Sequence, residues 1–332
     1  MAKSRSDPMT VMRTTSELSS RDRWDHILAR LGYKRMQHRV TPGIYELNEP
    51  NSTSPVFVTA NYTLSFDALR SSLHGISCYI LVLDTKGVNV WCAAGKGTFS
   101  TEELVRQVKQ ARLEELVAHR RLILPQLGAP GVSAVEVFKQ TGFKVEYGPV
   151  RAADLPQYLR LGYATEEMRT VKFPLRDRAV LIPVEIKNYF WLAVLLPIAL
   201  FLLFGPFPSA VAVTAILGGI VLFPLGLPIL PTRDFTSKGL VLGALLSIPF
   251  ILYPIYMANN MLQGGIMGLA SALVIISSVA YMALNFTGCS TTASRTGVRK
   301  EIFRYIPILT IMLIVGLVIS IFSFLASWQG WW

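Results

Sequence analysis

Polar and apolar positions divide the chain into two regimes. Up to about residue 187 the apolar residues come in short runs between charged and turn-forming segments, and beyond it they continue almost unbroken. In the first regime Val56–Ala60, Cys78–Leu83, Arg121–Leu124 and Lys144–Tyr147 read as strands, Cys78–Leu83 being short and apolar as a strand buried in a parallel sheet is. Between and after them Ser65–Leu73, Thr101–Arg112, Val132–Gln140 and Leu155–Leu161 carry helical spacing. That alternation predicts an α/β doubly wound domain with a mostly parallel sheet. Trp24–Leu31 reads as a short amphipathic helix, and Thr41-Pro42-Gly43 as the turn into the domain. Met1–Arg23 is polar with no apolar core of a signal peptide and is expected to be a disordered tail. Val180–Glu185 has strand-like composition and is expected to close the domain.

The second regime holds five apolar segments, about Tyr189–Phe204, Ser209–Leu230, Gly239–Met257, Ile266–Leu284 and Tyr305–Ser327. Each approaches or exceeds the ~17–25 residues that cross a bilayer. The expected organisation is a tail and short helix at 1–40, an α/β domain at 41–187 and an all-α membrane domain of five transmembrane helices at 188–332.

Charge sharpens this division. Residues 1–187 contain 26 of the 32 Lys and Arg and 19 of the 21 Asp and Glu, so the net charge of +11 splits as +7 and +4. The connections Gly205–Pro208 and Ala258–Gly265 are uncharged, whereas 231–238 carries Arg233 and Lys238, and 286–304 carries Arg295, Arg299, Lys300 and Arg304. The positive-inside rule puts the charged connections and the α/β domain in the cytoplasm, with the C-terminus outside and Trp328, Trp331 and Trp332 as interfacial anchors. The basic balance follows from membrane orientation; with no zinc-finger spacing, RNA-binding signature or basic face interleaved with aromatics, no nucleic-acid partner is expected. The charged clusters Glu166-Glu167-Met168-Arg169 and Arg176-Asp177-Arg178 read as solvated faces.

Three cysteines, Cys78, Cys92 and Cys289, exclude a four-cysteine iron–sulfur cluster in this chain and argue against a disulfide framework. Cys78 lies in a core strand and reads as a structural thiol. Cys289 lies just past a membrane segment; besides a structural role, it and the Phe286–Lys300 loop are candidates for receiving a soft metal. Cys92 differs from both. It sits in Val88-Asn89-Val90-Trp91-Cys92-Ala93-Ala94-Gly95-Lys96-Gly97, where small residues leave little bulk around the thiol and let something large and flat approach. Ser100 with Glu103 forms a capping box, so a helix begins at or just after the thiol, and Lys96 shares its face if the helix extends back that far. A helix N-terminus and an ammonium both favour thiolate, a nucleophile or soft metal ligand. A small buried hydrophobe is the competing reading. The Leu127–Ser133 loop, with Gly128, Pro130 and Gly131, lies outside a strand end, where backbone N–H groups reach ligands in such sheets; a plain tight turn competes.

Asn89-Val90-Trp91-Cys92-Ala93-Ala94-Gly95-Lys96 resembles the signature of the HgcA family, the corrinoid proteins of the mercury-methylating HgcA/HgcB pair, related to the large subunit of the corrinoid iron–sulfur protein. The resemblance continues through 124–134, Tyr147-Gly148-Pro149-Val150-Arg151 and Asn285-Phe286-Thr287-Gly288, and covers roughly residues 40–330. Thr292-Ala293-Ser294 after Cys289 departs from the family pattern. The resemblance implies a cobalamin or related corrinoid in base-off form, with the Cys92 thiolate as lower axial cobalt ligand on a cap helix. It puts the cofactor among Thr59, Asn89, Val90, Trp91, Ala93, Ala94, Gly95, Lys96, Gln126, Leu127, Gly128, Gly131, Val132 and Ser133, with Asn89 and Trp91 orienting the cap. None of His26, His38, His74 and His119 sits in the Asp-x-His-x-x-Gly pattern of histidine-ligated corrinoid proteins. The activity implied is corrinoid-dependent methyl transfer to Hg(II) on the cytoplasmic membrane. It requires a ferredoxin-like HgcB-type partner with 4Fe–4S clusters and a methyl-donor protein linked to methyltetrahydrofolate.

Three other readings stay open. A corrinoid methyl carrier of acetyl-CoA metabolism differs only in acceptor. A membrane-tethered dinucleotide oxidoreductase would use Gly95-Lys96-Gly97, but Ser100 stands where a third glycine is needed. A structural or transport-regulating membrane protein would need no cofactor.

Overall fold

The computed structural model describes residues 11–34, 36–258, 260–289 and 295–329. The chain divides into two compact units at Lys172/Phe173, ahead of the change in composition at 187.

The first unit is an α/β/α sandwich on a six-stranded sheet ordered β1-β2-β4-β3-β5-β6. Its strands are β1 (Met12–Thr14), β2 (Gly43–Leu47), β3 (Val56–Ala60), β4 (Cys78–Leu83), β5 (Arg121–Leu124) and β6 (Lys144–Tyr147). All pairings are parallel except β2 with β4. The helices are α1 (Ser20–Arg30), α2 (Thr63–Ser72), α3 (Val90–Lys96), α4 (Thr101–Gln110), α5 (Leu113–Leu116), α6 (Ala134–Thr141), α7 (Leu155–Leu161) and α8 (Glu166–Arg169). The four expected strands form with the expected bounds because both faces of the central pair are covered. Val56, Val58, Leu81 and Leu83 pack on one side with Val90, Leu104 and Val108, and Phe57, Ile80 and Val82 on the other with Phe66, Leu69 and Tyr158.

Three expectations are corrected here. The segment expected as a tail is structured from Val11: Met12–Thr14 pairs with Tyr45–Leu47, and the first helix starts at Ser20, where Ser19 and Asp22 complete a capping box. Strand β2, which begins within the Thr41-Pro42-Gly43 turn and so does not stand out, runs antiparallel to β4 in register Leu47 to Cys78. The helix expected to reach Arg112 stops at Gln110 because Arg112 is left-handed at φ 44° and opens α5.

The second unit contains α9 (Leu175–Ala179), α10 (Ile182–Asn188), α11 (Phe190–Phe204), α12 (Pro206–Leu217), α13 (Phe223–Gly226), α14 (Phe235–Met257), α15 (Met261–Phe286) and α16 (Arg295–Trp328). A π-helical turn at Gly218–Leu222 joins α12 to α13 into one 21-residue apolar helix. Among the described residues four helices have the length and apolarity to cross a membrane: Pro206–Gly226, α14, α15 and residues Thr296–Trp328 of α16. A fifth follows if Leu175–Asn188 and Phe190–Phe204, bent by 62°, make one span.

The Val180–Glu185 segment is helical, against its β-branched composition, because Leu181 packs into a cluster with Phe223 and Phe286. Arg178 does not lie on a solvated face. It is buried, and its Nη1 donates to the Pro224 and Leu225 carbonyls. The basic stretch expected as a loop before the last span is partly helical, since α16 begins at Arg295. Residues 290–294 of the proposed metal-receiving loop, the side chain of Cys289, and Trp331 and Trp332 lie outside what is described.

Candidate functional site

The site is built where β4 ends. Leu83 leads into a turn, Asp84–Asn89, in which Lys86 and Gly87 take positive φ of 58° and 73°. Two distant side chains hold this turn. Asn61, the residue after β3, is 1% exposed; its Oδ1 accepts from the amides of Thr85 at 3.1 Å and Gly87 at 2.9 Å, and its Nδ2 donates to Asp84 Oδ1 at 3.1 Å. From the other side Glu103 Oε1 accepts from the Asp84 amide at 2.8 Å. Burial pushes the Glu103 carboxyl up, but hydrogen bonds from Arg106, Gln107 and the Asp84 amide, with the Arg106 charge, hold it below the usual range. The expected capping box is therefore half present. Ser100 Oγ accepts from the Glu103 amide, while the Glu103 carboxylate is spent on β4.

The turn delivers the chain into α3, a separate helix rather than an extension of α4. Asn89 is its N-cap, with Oδ1 accepting from the Cys92 amide at 2.8 Å, and Gly97 ends it at φ 78°. Cys92 thus lies in the first turn of its own helix with Lys96 one turn on, as the sequence suggested.

The small residues divide between two faces of α3. Val90, Ala93 and Ala94 are buried, and their smallness serves packing. A Cβ at Gly131 would stand 2.1 Å from the Phe99 carbonyl oxygen and 3.0 Å from Ala94 Cα, and one at Gly128 would stand 2.7 Å from the Phe99 ring. These glycines let the 126–131 segment lie close against Phe99 and the helix. That segment is a 3₁₀ helix, not an open loop. On the outward face, at helical spacing, are Cys92, Gly95 and Lys96, the first two partly exposed and the third exposed.

The other expected residues fall around this helix. Thr59 is buried at the carboxyl end of β3, opposite Val82. Gln126 is half-buried, and its Oε1 accepts from Arg169 at 3.5 Å. Leu127 packs against the core. Val132 is buried, its carbonyl accepting from the Tyr147 hydroxyl at 2.6 Å, and exposed Ser133 caps α6 through the Glu136 amide. The carboxyl ends of β3 and β5, adjacent strands whose following connections diverge to β4 and β6, form the switch point of the sheet. A cavity of about 370 Å³ lies at the opposite, amino ends of these strands, lined by Val56, His119, Arg121 and Ile123 among others, away from Cys92.

Among the described residues no three His, Cys, Asp or Glu side chains gather to hold a metal ion. The histidines serve the fold: His26 Nε2 lies 2.7 Å from Asp67, His38 Nδ1 2.8 Å from Asp25, and His119 Nε2 2.9 Å from the Ser54 carbonyl. Cys78 is fully buried, and burial pushes its thiol up to about 12, as fits a structural thiol. The residue missed by sequence reasoning is Asn61. Its signal was available, a polar side chain directly after an apolar strand, but its partners lie more than 20 positions away.

Residues 33–159 match the family model CdhD: CO dehydrogenase/acetyl-CoA synthase delta subunit. The acetyl-CoA decarbonylase/synthase complex subunit gamma of Archaeoglobus fulgidus is 32% identical over 131 residues, covering 39% of this chain and 27% of that protein. Its counterpart from Methanopyrus kandleri is 33% identical over 127 residues, covering 38% and 27%. The corrinoid/iron-sulfur protein large subunit of Moorella thermoacetica is 28% identical over 153 residues, covering 43% and 34%. The chain spans about a quarter to a third of the length of these relatives. The part of the chain that holds the Asn61 clamp, the Cys92 helix and the 126–133 segment thus carries a CdhD-type domain, homologous to the corrinoid/iron-sulfur protein large subunit and the synthase gamma subunits.

Proposed function

We propose that the chain is a membrane-anchored corrinoid methyltransferase whose Cys92 thiolate is the lower axial ligand of cobalt and whose methyl acceptor is Hg(II). The observation that carries this is the position of Cys92, partly exposed beside Gly95 and Lys96 on the outward face of a helix that follows β4 at the carboxyl end of a doubly wound sheet. A lone thiol with no cluster of protein ligands fits a metal that brings its own equatorial donors, as a corrinoid does, and a thiolate is a soft donor suited to such a centre. When bound, the corrinoid supplies a cobalt centre able to hold and release a methyl group.

The chain's own residues do the positioning. Asn89 fixes the Cys92 amide, Asn61 and Glu103 fix the turn before it, and Gly95 leaves the flat approach that a macrocycle needs. Trp91, partly exposed, adjoins Cys92 in the chain, and Gln126, Leu127 and Ser133 would complete the cofactor's surroundings. Lys96 adds a positive charge beside the thiol. Delivery of methyl with its electron pair to Hg(II) requires electrons to be returned. Three cysteines cannot form a relay of clusters, so a ferredoxin-like HgcB-type partner with 4Fe–4S clusters supplies them, and a methyltetrahydrofolate-linked protein supplies the methyl group. The basic connections hold the α/β unit on the cytoplasmic side.

A second reading, a methyl carrier of acetyl-CoA metabolism, is favoured by the relatives, which are named as subunits of acetyl-CoA synthase complexes. The deciding experiment is an anaerobic absorption spectrum of the detergent-solubilised full chain reconstituted with cobalamin, wild type against Cys92→Ala. Base-off cobalamin with a thiolate band absent from the variant is expected. Identical spectra, or no binding, would overturn the ligand assignment. Methylmercury formation with added reductase then separates the two acceptors.

A further inference from the structure

Helix α1 is amphipathic in the inverted sense. Its polar residues point into the α/β unit. Asp22 accepts from Arg70 Nη2 at 2.8 Å, His26 Nε2 lies 2.7 Å from Asp67, Asp25 lies 2.8 Å from His38, and Arg70 Nε donates to Asp67 at 2.6 Å. Ala29 is buried and Leu28 half-buried, whereas the larger apolar residues point away: Trp24 is 61% exposed, Ile27 46% and Leu31 at the C-cap 41%. At positions i, i+3 and i+7 they form one stripe. Arg21 borders it on one side and Arg23 and Arg30 on the other, all exposed, and Tyr33 and Met36, 51% and 56% exposed, extend it beyond the helix. Both acidic residues of the helix are turned inward and its three arginines outward.

We infer that this stripe is a docking surface for the headgroup region of an anionic bilayer. The inference rests on the reading of the C-terminal helices as membrane spans. An apolar stripe rich in Trp, Ile and Leu between arginines has the composition of a helix that lies in the membrane interface. From Trp24 to Leu31 the stripe is about 10 Å long on a helix of 11 residues. A second copy of the chain is a poorer occupant: three side chains fall well short of the ~800 Å² per partner of a stable interface, and paired stripes would bring arginines together. A bilayer demands no such area, because the covalent tether already holds the unit at high effective concentration beside it. Anionic headgroups complement the arginine border.

The test uses full-length protein labelled with 5-fluorotryptophan in nanodiscs of phosphatidylcholine, with and without phosphatidylglycerol. The Trp24 fluorine resonance is the one lost in Trp24→Phe. With phosphatidylglycerol present, the resonance should be broadened several-fold by a headgroup-linked gadolinium chelate and little by a soluble one. Arg23→Gln with Arg30→Gln should reverse that ratio. Broadening by the soluble chelate alone, or protection from both as a second copy or another protein would give, overturns the inference. If alkaline carbonate washes the full chain from native membranes, the membrane reading falls with it; if the chain stays while Trp24 faces water, only the α1 inference falls.

Discussion

The turn before α3 and the helix ends of the second unit meet the same requirement in opposite ways. Each has backbone N–H or C=O groups left over at a bend, and each satisfies them with a buried polar side chain from elsewhere in the sequence. In the α/β unit Asn61 and Glu103 clasp the Asp84–Gly87 turn from behind and leave Cys92 and Gly95 facing outward. In the second unit the polar groups seal. Glu301, 8% exposed, accepts from the amide and hydroxyl of Thr236 at 2.9 and 2.7 Å and so caps α14, while Arg178 and Lys238 close the carbonyls of residues 224–230. The difference teaches where chemistry is to be sought. A polar tie that presents a reactive side chain marks a site, and one that ends in closed helix termini marks architecture.

The comparison breaks most decisively at Asn61. Asn61→Leu strands the Thr85 and Gly87 amides in a buried setting, and at ~1–3 kcal/mol for each unsatisfied group the α/β unit should lose about 2–6 kcal/mol. Denaturant titration of the full chain in detergent, followed by near-ultraviolet ellipticity, measures the loss, and alkylation of Cys92 should accelerate in parallel. Glu301→Ala tests the sealing side. Removal of the α14 cap should cost about 1–2 kcal/mol of the second unit's stability, read as a lower thermal midpoint, while Cys92 alkylation stays unchanged. A change in Cys92 reactivity there would erase the contrast between the two regions.

The smallest effect is the pH dependence carried by Glu103. Its carboxyl is held below the ordinary value of 4.5, so the folded state binds fewer protons than the unfolded one. Its contribution is present above pH ~4.5 and is lost as pH falls through the lower folded value. Between pH 6 and about 3, at roughly a unit either side of the carboxylate range, wild type should lose stability more steeply than Glu103→Gln. Parallel profiles would show that the tie to Asp84 contributes nothing.

Legibility followed the range of the interactions. Strands β3 and β4 were visible because burial on both faces writes an unbroken apolar run, and β5 and β6 because they recur between helical stretches of the alternating pattern. The Cys92 neighbourhood was visible because its glycines, alanines and lone thiol are contiguous. Strand β1, β2 and the clamp at Asn61 were not, since a three-residue strand and a single polar residue acquire meaning only from partners far along the chain. Val180–Glu185 misled because Leu181, within it, packs in a cluster with Phe223 and Phe286, which lie more than 40 positions away, and Ile182 opens a helix there despite the β-branched composition.

By itself the sequence determined the α/β class, the apolar helices and the thiol, because these depend on local period, run length and composition. Only the tertiary structure decided that Ala93 and Ala94 face Gly131 and Phe99 while Cys92 faces outward, that Asn61 and Glu103 hold the turn, and that α1 turns its acids in and its tryptophan out. Which face of a helix is buried depends on what packs against it, and that surface comes from residues remote in the chain.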